Sequence, residues 1–252
     1  MNKPEIELLA PAGKWEVMVA AVDAGADAVY LGGKRFNMRM LRPDYNFSDR
    51  ELEEACSYMH ERGKRIYVTV NNLYYESELE ELRDYLVFLD HIGADALIIQ
   101  DLAIARLHRE MGLGIPLHAS VQMGIANEAA VDLLAQWGFS RVILSKNLTL
   151  QEIKAIHTST RLGIEFFAHG DLCVSHAGQC YMSSFVAGES GNRGRCIKPC
   201  RWPYSLGTSP GEMKYYLAYN DLCLAGNMQE LVAAGVESFK IEGRMRGADY
   251  IL

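Results

Sequence analysis

Four segments of the chain repeat one pattern: "DAGADAVYLGG" from Asp23, "HIGADALIIQD" from His91, "QWGFSRVILSK" from Gln136 and "AAGVESFKIEG" from Ala233. Each reads as the end of a helix, a glycine, a few small or polar residues, and then an apolar strand. The glycine can take the left-handed conformation that stops a helix without steric penalty. The apolar run behind it lacks clear alternation, as expected of parallel strands buried on both faces. "ERGKRIYVTVNN" from Glu61 is a looser fifth copy, and Glu7–Ala10, Leu117–Val121 and Gly163–Ala168 complete eight predicted strands. Helical periodicity fills the gaps. "SDRELEEACSYMHERG" opens with Ser48 as N-cap and Glu51 three residues on, a capping box, while "ESELEELRDYLVFLDHIG" and "NEAAVDLLAQWG" carry apolar residues at helical spacing.

Eight strands alternating with helices predict an α/β fold, a TIM-type (β/α)8 barrel, and 252 residues suit a single domain of that kind. The competing architecture is an open Rossmann-like sheet, but the first strand runs into "APAGKWE", which has one glycine and no G-x-G-x-x-G. Residues 171–229 are far too long for an ordinary βα connection and read as a Cys- and Gly-rich insertion after the seventh strand. The last strand is followed only by a short tail ending in "GADYIL", so a barrel truncated in or before its last helix is expected.

Barrel sites form at the C-terminal ends of strands. The residues there include Pro11–Gly13, Gly32–Lys34, Asn71–Asn72, Gln100–Asp101, Ser120–Gln122, Lys146–Asn147, His169–Asp171 and Glu242–Arg244, a ring that suits a small polar substrate. Glu165 and Glu242 lie within apolar strands and need partners, for which Lys146, Lys240 and Arg244 are available. Glu165, His169, Glu242 and Arg244 are therefore the candidate catalytic residues, and Gln122 and Lys146 the candidate substrate contacts on the barrel rim.

The segment "HGDLCVSHAGQCYMSSFVAGESGNRGRCIKPCRWPY" places Cys173, Cys180, Cys196 and Cys200, four of six cysteines, within 28 residues. The start "MNKPEIELLAPAG" lacks the apolar core of a secretory leader, and charges interrupt every apolar run, so neither export nor a membrane span is expected. A cytoplasmic location keeps thiols reduced and argues against disulfides. Gaps of six, fifteen and three residues match neither a zinc ribbon nor a ferredoxin. Soft thiolates on a glycine-rich loop suit either zinc or an iron–sulfur cluster. Cys56, on the apolar face of a helix, is read as core.

The stretch "EFFAHGDLCVSHAGQCYMSS" resembles the signature of the collagenase-like peptidase family U-32, with Glu165, Phe166, Gly170, Leu172, Cys173, Gly178, Cys180, Met182 and Ser183 at its fixed positions. "ELLAPAG…GADAVYLGG", "GRCIKPCRWPY" and "NDLC…ELVAAGVESFKIEGRMR" extend the resemblance over essentially the whole chain. Asp171 departs from it, since the family usually has Ser or Ala there. The resemblance implies oxygen-independent hydroxylation, of transfer-RNA uridine, ribosomal-RNA cytidine or a ubiquinone precursor, by an enzyme carrying a [4Fe–4S] cluster. It favours the cluster over Zn2+, maps Cys173, Cys180 and Cys196 as ligands, and leaves Cys200 (alternatively Cys223) as the fourth. It also implies prephenate as a small-molecule co-substrate for the transfer-RNA members.

A transfer-RNA partner would meet Arg193, Arg195, Lys198 and Arg201 on the cysteine loop, with Trp202 stacking on an extruded base. The formal charge of −7 argues only against bulk adhesion to nucleic acid. A collagenase-like peptidase is the second reading, although no nucleophile or metal motif is recognisable. A non-catalytic, cluster-bearing subunit in a homo- or hetero-oligomer is the third.

Overall fold

The computed structural model describes residues 6–207 and 211–252. Eight parallel strands form a closed ring: β1 (Glu7–Pro11), β2 (Ala28–Leu31), β3 (Arg65–Val70), β4 (Ala96–Ile99), β5 (Leu117–Ala119), β6 (Phe139–Ile143), β7 (Gly163–Gly170) and, after a two-residue strand β8 (Leu222–Cys223), β9 (Ser238–Ile241). Consecutive strands pair from β1 to β7, and β9 closes the ring by pairing with β7 on one side and β1 on the other. Leu8 stands opposite Phe239, and Phe166 opposite Phe239 on the other edge. The barrel expected from the repeat is therefore what forms.

Successive side chains of a strand point to opposite faces. Leu9, Tyr30, Tyr67, Ile98, Ile143 and Phe167 fill the barrel interior. Their neighbours Val29, Val68, Leu97, Ile99, Val142, Ile164 and Phe166 face outward under the helices. The four repeat glycines, Gly25, Gly93, Gly138 and Gly235, all adopt positive φ (77–103°), the conformation the repeat predicts. At Gly235 a Cβ would also run into the His157 ring, which would have to move aside.

The outer layer consists of α1 (Trp15–Asp23), α2 (Asp49–His60), α3 (Leu79–His91), α4 (Leu102–Met111), α5 (Glu128–Gln136) and α6 (Leu150–Ser159). Ser48 and Glu51 make the expected capping box on α2, and Thr149 and Glu152 make another on α6. Strand β5 is shorter than its apolar run, because Ser120 caps a 3-10 turn that begins at Val121.

Between β7 and β9 the chain builds α7 (Met182–Ala187), β8 and α8 (Met228–Ala233). Strand β8 runs antiparallel to the end of β7, with Cys223 opposite His169. This segment is tied across the barrel rim. The Leu73 amide donates to the Asn192 carbonyl (3.0 Å) and the Leu41 amide to the Gly194 carbonyl (3.3 Å). Arg193 grips Glu78 through two hydrogen bonds (2.8 and 2.9 Å) and stacks on Tyr75. After β9, α9 (Ala248–Ile251) buries Ile251 and packs against α1. No helix among the described residues is long and apolar enough to cross a membrane.

Candidate functional site

The inward positions of β1, β3, β6, β7 and β9 place a layer of charges inside the barrel. Glu7 accepts hydrogen bonds from Tyr67 (2.6 Å), Ser238 (2.7 Å) and Arg141, and pairs with Arg65 at 2.9 Å. Glu165 accepts from Lys240 (2.7 Å) and lies 3.5 Å from Arg141. Burial pushes the Glu7 carboxyl up, but Arg141, Tyr67 and Ser238 outweigh it and hold it below the usual carboxylate range. Burial lowers the Lys240 ammonium against the opposing pull of Glu165. His118, edge-on to Tyr67, is driven well below its ordinary value by burial and by nearby cations, and its Nδ1 has no partner. The paired floor makes Glu165 part of an ion-pair network, one of the two roles open to it from sequence.

Above this layer the strand ends open into the mouth of the barrel, a narrow recess of about 70 Å3 lined by Tyr30, Arg39, Thr69, Gln122, Glu242 and Arg244 among others. Glu242, just past β9, accepts from the Lys146 ammonium and lies 3.7 Å from Arg39. Lys146 also donates to the Asp171 carbonyl (2.7 Å) and sits over the Phe167 ring. Arg244 is buried and donates to Thr69 (2.9 Å), Asn37 (3.1 Å) and Asn46 (2.7 Å). Burial, with Arg39 beside it, pulls its guanidinium below the ordinary value.

Val121, Gln122 and Glu242 are shared with a second cavity of about 630 Å3, whose wall adds Lys146, Cys173, His176 and Tyr219. Burial raises the Cys173 thiol, the Glu242 carboxylate adds to the shift, and Lys146 opposes it. Cys200 also acts on Cys173. The Cys200 thiol is raised by burial and by Cys196 and Cys180, with Arg201 opposing. Ser183 points its hydroxyl at Cys196 Sγ (3.8 Å). A Cβ on Gly191 would meet both the Cys180 carbonyl (3.7 Å) and Cys196 Cβ (3.9 Å), so these two cysteines lie around one glycine. Among the described residues, however, no three His, Cys, Asp or Glu side chains converge as ligands of one ion. Their donor chemistry suits a soft metal or a cluster. Cys56 is buried in the core, and burial pushes its thiol up to about 12.

The cations of the loop are largely engaged within the protein. Arg193 is held by Glu78, Arg195 by Glu189, and Lys198 by Asp171 at 3.2 Å. Arg201 donates to the carbonyls of Tyr219 (2.6 Å) and Leu172 (2.8 Å), and Trp202 beside it is 39% exposed. Asp171 also accepts from Arg246 (3.0 Å). Burial would raise its carboxyl, but Lys198 and Arg246 prevail and bring it down to about 2. His169 packs against Tyr250 and, like Glu165, lines neither cavity. Gln122, Lys146, Glu242 and Arg244 do come together. The sequence reading missed Arg39, Asn37 and Asn46, which lie in the loop after β2, and the inward-facing Glu7 and Arg141.

The family model for peptidase family U32 matches residues 13–252. The chain belongs to peptidase family U32. Among U32 relatives it is 39% identical to the 23S rRNA 5-hydroxycytidine C2501 synthase of Escherichia coli, over 100% of this chain and 38% of that protein. It is 32% identical to the tRNA hydroxylation protein P1 of Bacillus subtilis (99% and 61%), and 32% identical to a collagenase of Porphyromonas gingivalis (100% and 64%). The chain therefore spans less than two thirds of the length of each. A solved U32 peptidase structure superimposes with a TM-score of 0.64 at 11% identity, covering 96% of this chain and 95% of that one, and shares its fold.

Proposed function

We propose that this U32 barrel hydroxylates a pyrimidine in RNA without molecular oxygen, using a [4Fe–4S] cluster held by Cys173, Cys180, Cys196 and Cys200. The observation that carries the reading is the place of Cys173. It lies in the cysteine-rich segment and stands on the wall of the 630 Å3 cavity at the barrel mouth. The relatives named for RNA hydroxylation supply the reaction class. Cys200 lies in the same cysteine-rich segment as the other three, which supports it as fourth ligand. Cys223 instead stands on β8 opposite His169.

When bound, the cluster supplies electron-transfer chemistry beside the cavity. The residues of the chain do the rest. Lys146 and Glu242 form a hydrogen-bonded pair on the wall of the larger cavity, placed to pass a proton to or from a substrate. Arg201, whose charge is engaged only with carbonyls, and half-exposed Trp202 form the RNA-facing pair of the loop. Transfer-RNA uridine is the substrate we favour, with prephenate as donor of the hydroxyl group. An RNA substrate would accord with a cytoplasmic location.

Anaerobic purification followed by iron and sulfide analysis tests the cluster. Four irons per chain are expected, lost on Cys→Ala at 173, 180, 196 or 200 and kept in Cys223→Ala. A colourless protein with one zinc overturns the assignment. Nucleoside mass spectrometry of transfer and ribosomal RNA from a deletion strain should show loss of a hydroxylated uridine. Loss of hydroxycytidine alone moves the substrate to ribosomal RNA. Intact modification with collagen cleavage by the purified protein establishes the peptidase reading instead.

A further inference from the structure

We propose that Arg193 is a positioning residue: clamped to Glu78 on the barrel rim, it holds the short turn from which the thiols of Cys180 and Cys196 are presented. The inference rests on the reading of those two cysteines as ligands of a metal centre. Arg193 differs from the other cations of the cysteine segment in where its partner lies. Arg195 is paired with Glu189 and Lys198 with Asp171, both within residues 171–229. Arg201 donates to the carbonyls of Leu172 and Tyr219 in the same stretch. Arg193 reaches out of the segment altogether, to Glu78 in the loop after β3.

Both branches of the guanidinium are used. Nη2 donates to Glu78 Oε1 at 2.8 Å, and Nη1 donates to Glu78 Oε2 at 2.9 Å and to the Leu73 carbonyl at 2.7 Å. The planar fork thus meets the carboxylate as a bidentate pair, a geometry that a lysine cannot reproduce. Its face lies 3.9 Å from the centroid of the Tyr75 ring, an aromatic that is 62% exposed. Glu78 also accepts from the Tyr75 amide at 2.7 Å, so the anion is oriented by its own loop.

The turn that Arg193 anchors is joined to both thiol-bearing stretches. The amides of Arg193 and Arg195 both donate to the Ser190 carbonyl (3.1 Å each), which closes residues 190–195 into one unit leading directly into Cys196. Gly191 in this unit lies against the Cys180 carbonyl and Cys196 Cβ. The Asn192 side chain donates to the Gly178 carbonyl, two residues before Cys180. The backbone is seated on the barrel as closely as sterics allow. A Cβ on Gly194 (φ +74°) would collide with the Asn37 carbonyl in the loop after β2, and one on Gly178 with the Gln122 carbonyl after β5. A three-residue 3-10 turn has little stability of its own, and a bidentate ionic tie is stronger than the neutral hydrogen bonds around it. Ligands held in place by such supporting contacts take up a metal without first having to be ordered.

The test needs neither RNA nor turnover, so the clamp and the hydroxylase reading fail separately. The full chain, stripped of metal under anaerobic conditions, is compared with Arg193→Gln, Arg193→Lys and Glu78→Gln. Amide exchange is followed by mass spectrometry, and Cd2+ binding by thiolate-to-metal absorption in the ultraviolet. In all three variants, exchange across residues 178–196 should quicken by about tenfold and Cd2+ should bind about tenfold more weakly, with exchange in α4 unchanged. Glu78→Gln leaves Arg193 in place and keeps the test decisive if an Arg193 variant fails to fold. Unchanged exchange in Arg193→Gln and Glu78→Gln overturns the clamp. Faster exchange with unchanged Cd2+ affinity overturns the positioning of the thiols, and wild-type behaviour in Arg193→Lys overturns the role of the fork. Zinc in place of a cluster in the purified protein overturns the hydroxylase reading and leaves this one standing.

Discussion

The floor and the mouth of this barrel treat buried charge in opposite ways. On the floor, Glu7, Arg141, Glu165 and Lys240 are mutually paired, and Tyr67 and Ser238 satisfy the remaining carboxylate lone pairs. At the mouth, Arg244 is as deeply placed but rests on amides and a hydroxyl. Equal burial with unequal compensation separates charge that holds the barrel together from charge kept ready for something else. A closed electrostatic network explains itself. An open one is held by neutral hydrogen-bond acceptors alone.

The comparison predicts a large asymmetry in stability. Lys240→Met strands the Glu165 carboxylate beside Arg141 and should lower the unfolding free energy by about 3–5 kcal/mol, read from urea denaturation. Adding Glu165→Leu removes the stranded charge and should recover most of that loss. If the single variant cost no more than a surface substitution, the floor would not be the structural network described. A smaller effect is expected at the mouth. Gly32→Ala intrudes on Arg244 and Thr69 and should cost about 1–3 kcal/mol, read from the same denaturation. Unchanged stability would mean that Arg244 and Thr69 can give way at no cost.

The smallest effect belongs to Asp171, which links the cysteine segment to the loop after β9. Its folded carboxyl lies at about 2, below its ordinary value of 3.8, because Lys198 and Arg246 favour the charged form. The stabilisation is therefore complete above about pH 5 and disappears as pH falls toward 2. Asp171→Ser, the residue type usual in the family, should flatten acid unfolding in that window and leave neutral stability within about 1 kcal/mol.

The barrel was legible in the sequence because its signal is local. A left-handed glycine followed by an apolar run buried on both sides recurs four times along the chain. The thiols and the polar strand ends were legible for the same reason, and so Gln122, Lys146, Glu242 and Arg244 were found. Arg39, Asn37 and Asn46 were not, since the loop after β2 has no periodicity and its meaning lies in contacts 207 and 198 residues away. Pairing is likewise a property of the ring. Lys146, Lys240 and Arg244 were equivalent partners for two carboxylates until closure assigned Lys240 to Glu165 and Lys146 to Glu242. The loop arginines show the converse limit. Arg193 and Arg195 read as free charge, yet Glu78 and Glu189 hold them in place.

The seam between β1 and β9 has a consequence for how the chain reaches this state. Ser238 donates to Glu7 across 231 residues, and Leu8 finds its strand neighbour only at Phe239. During synthesis the first strand must therefore wait, one edge bare and its carboxylate short of partners, until nearly the whole segment has been made. Closure across so long a separation is slow, and it makes the first strand the place where a chaperone or a neighbouring nascent chain has the longest opportunity to intervene.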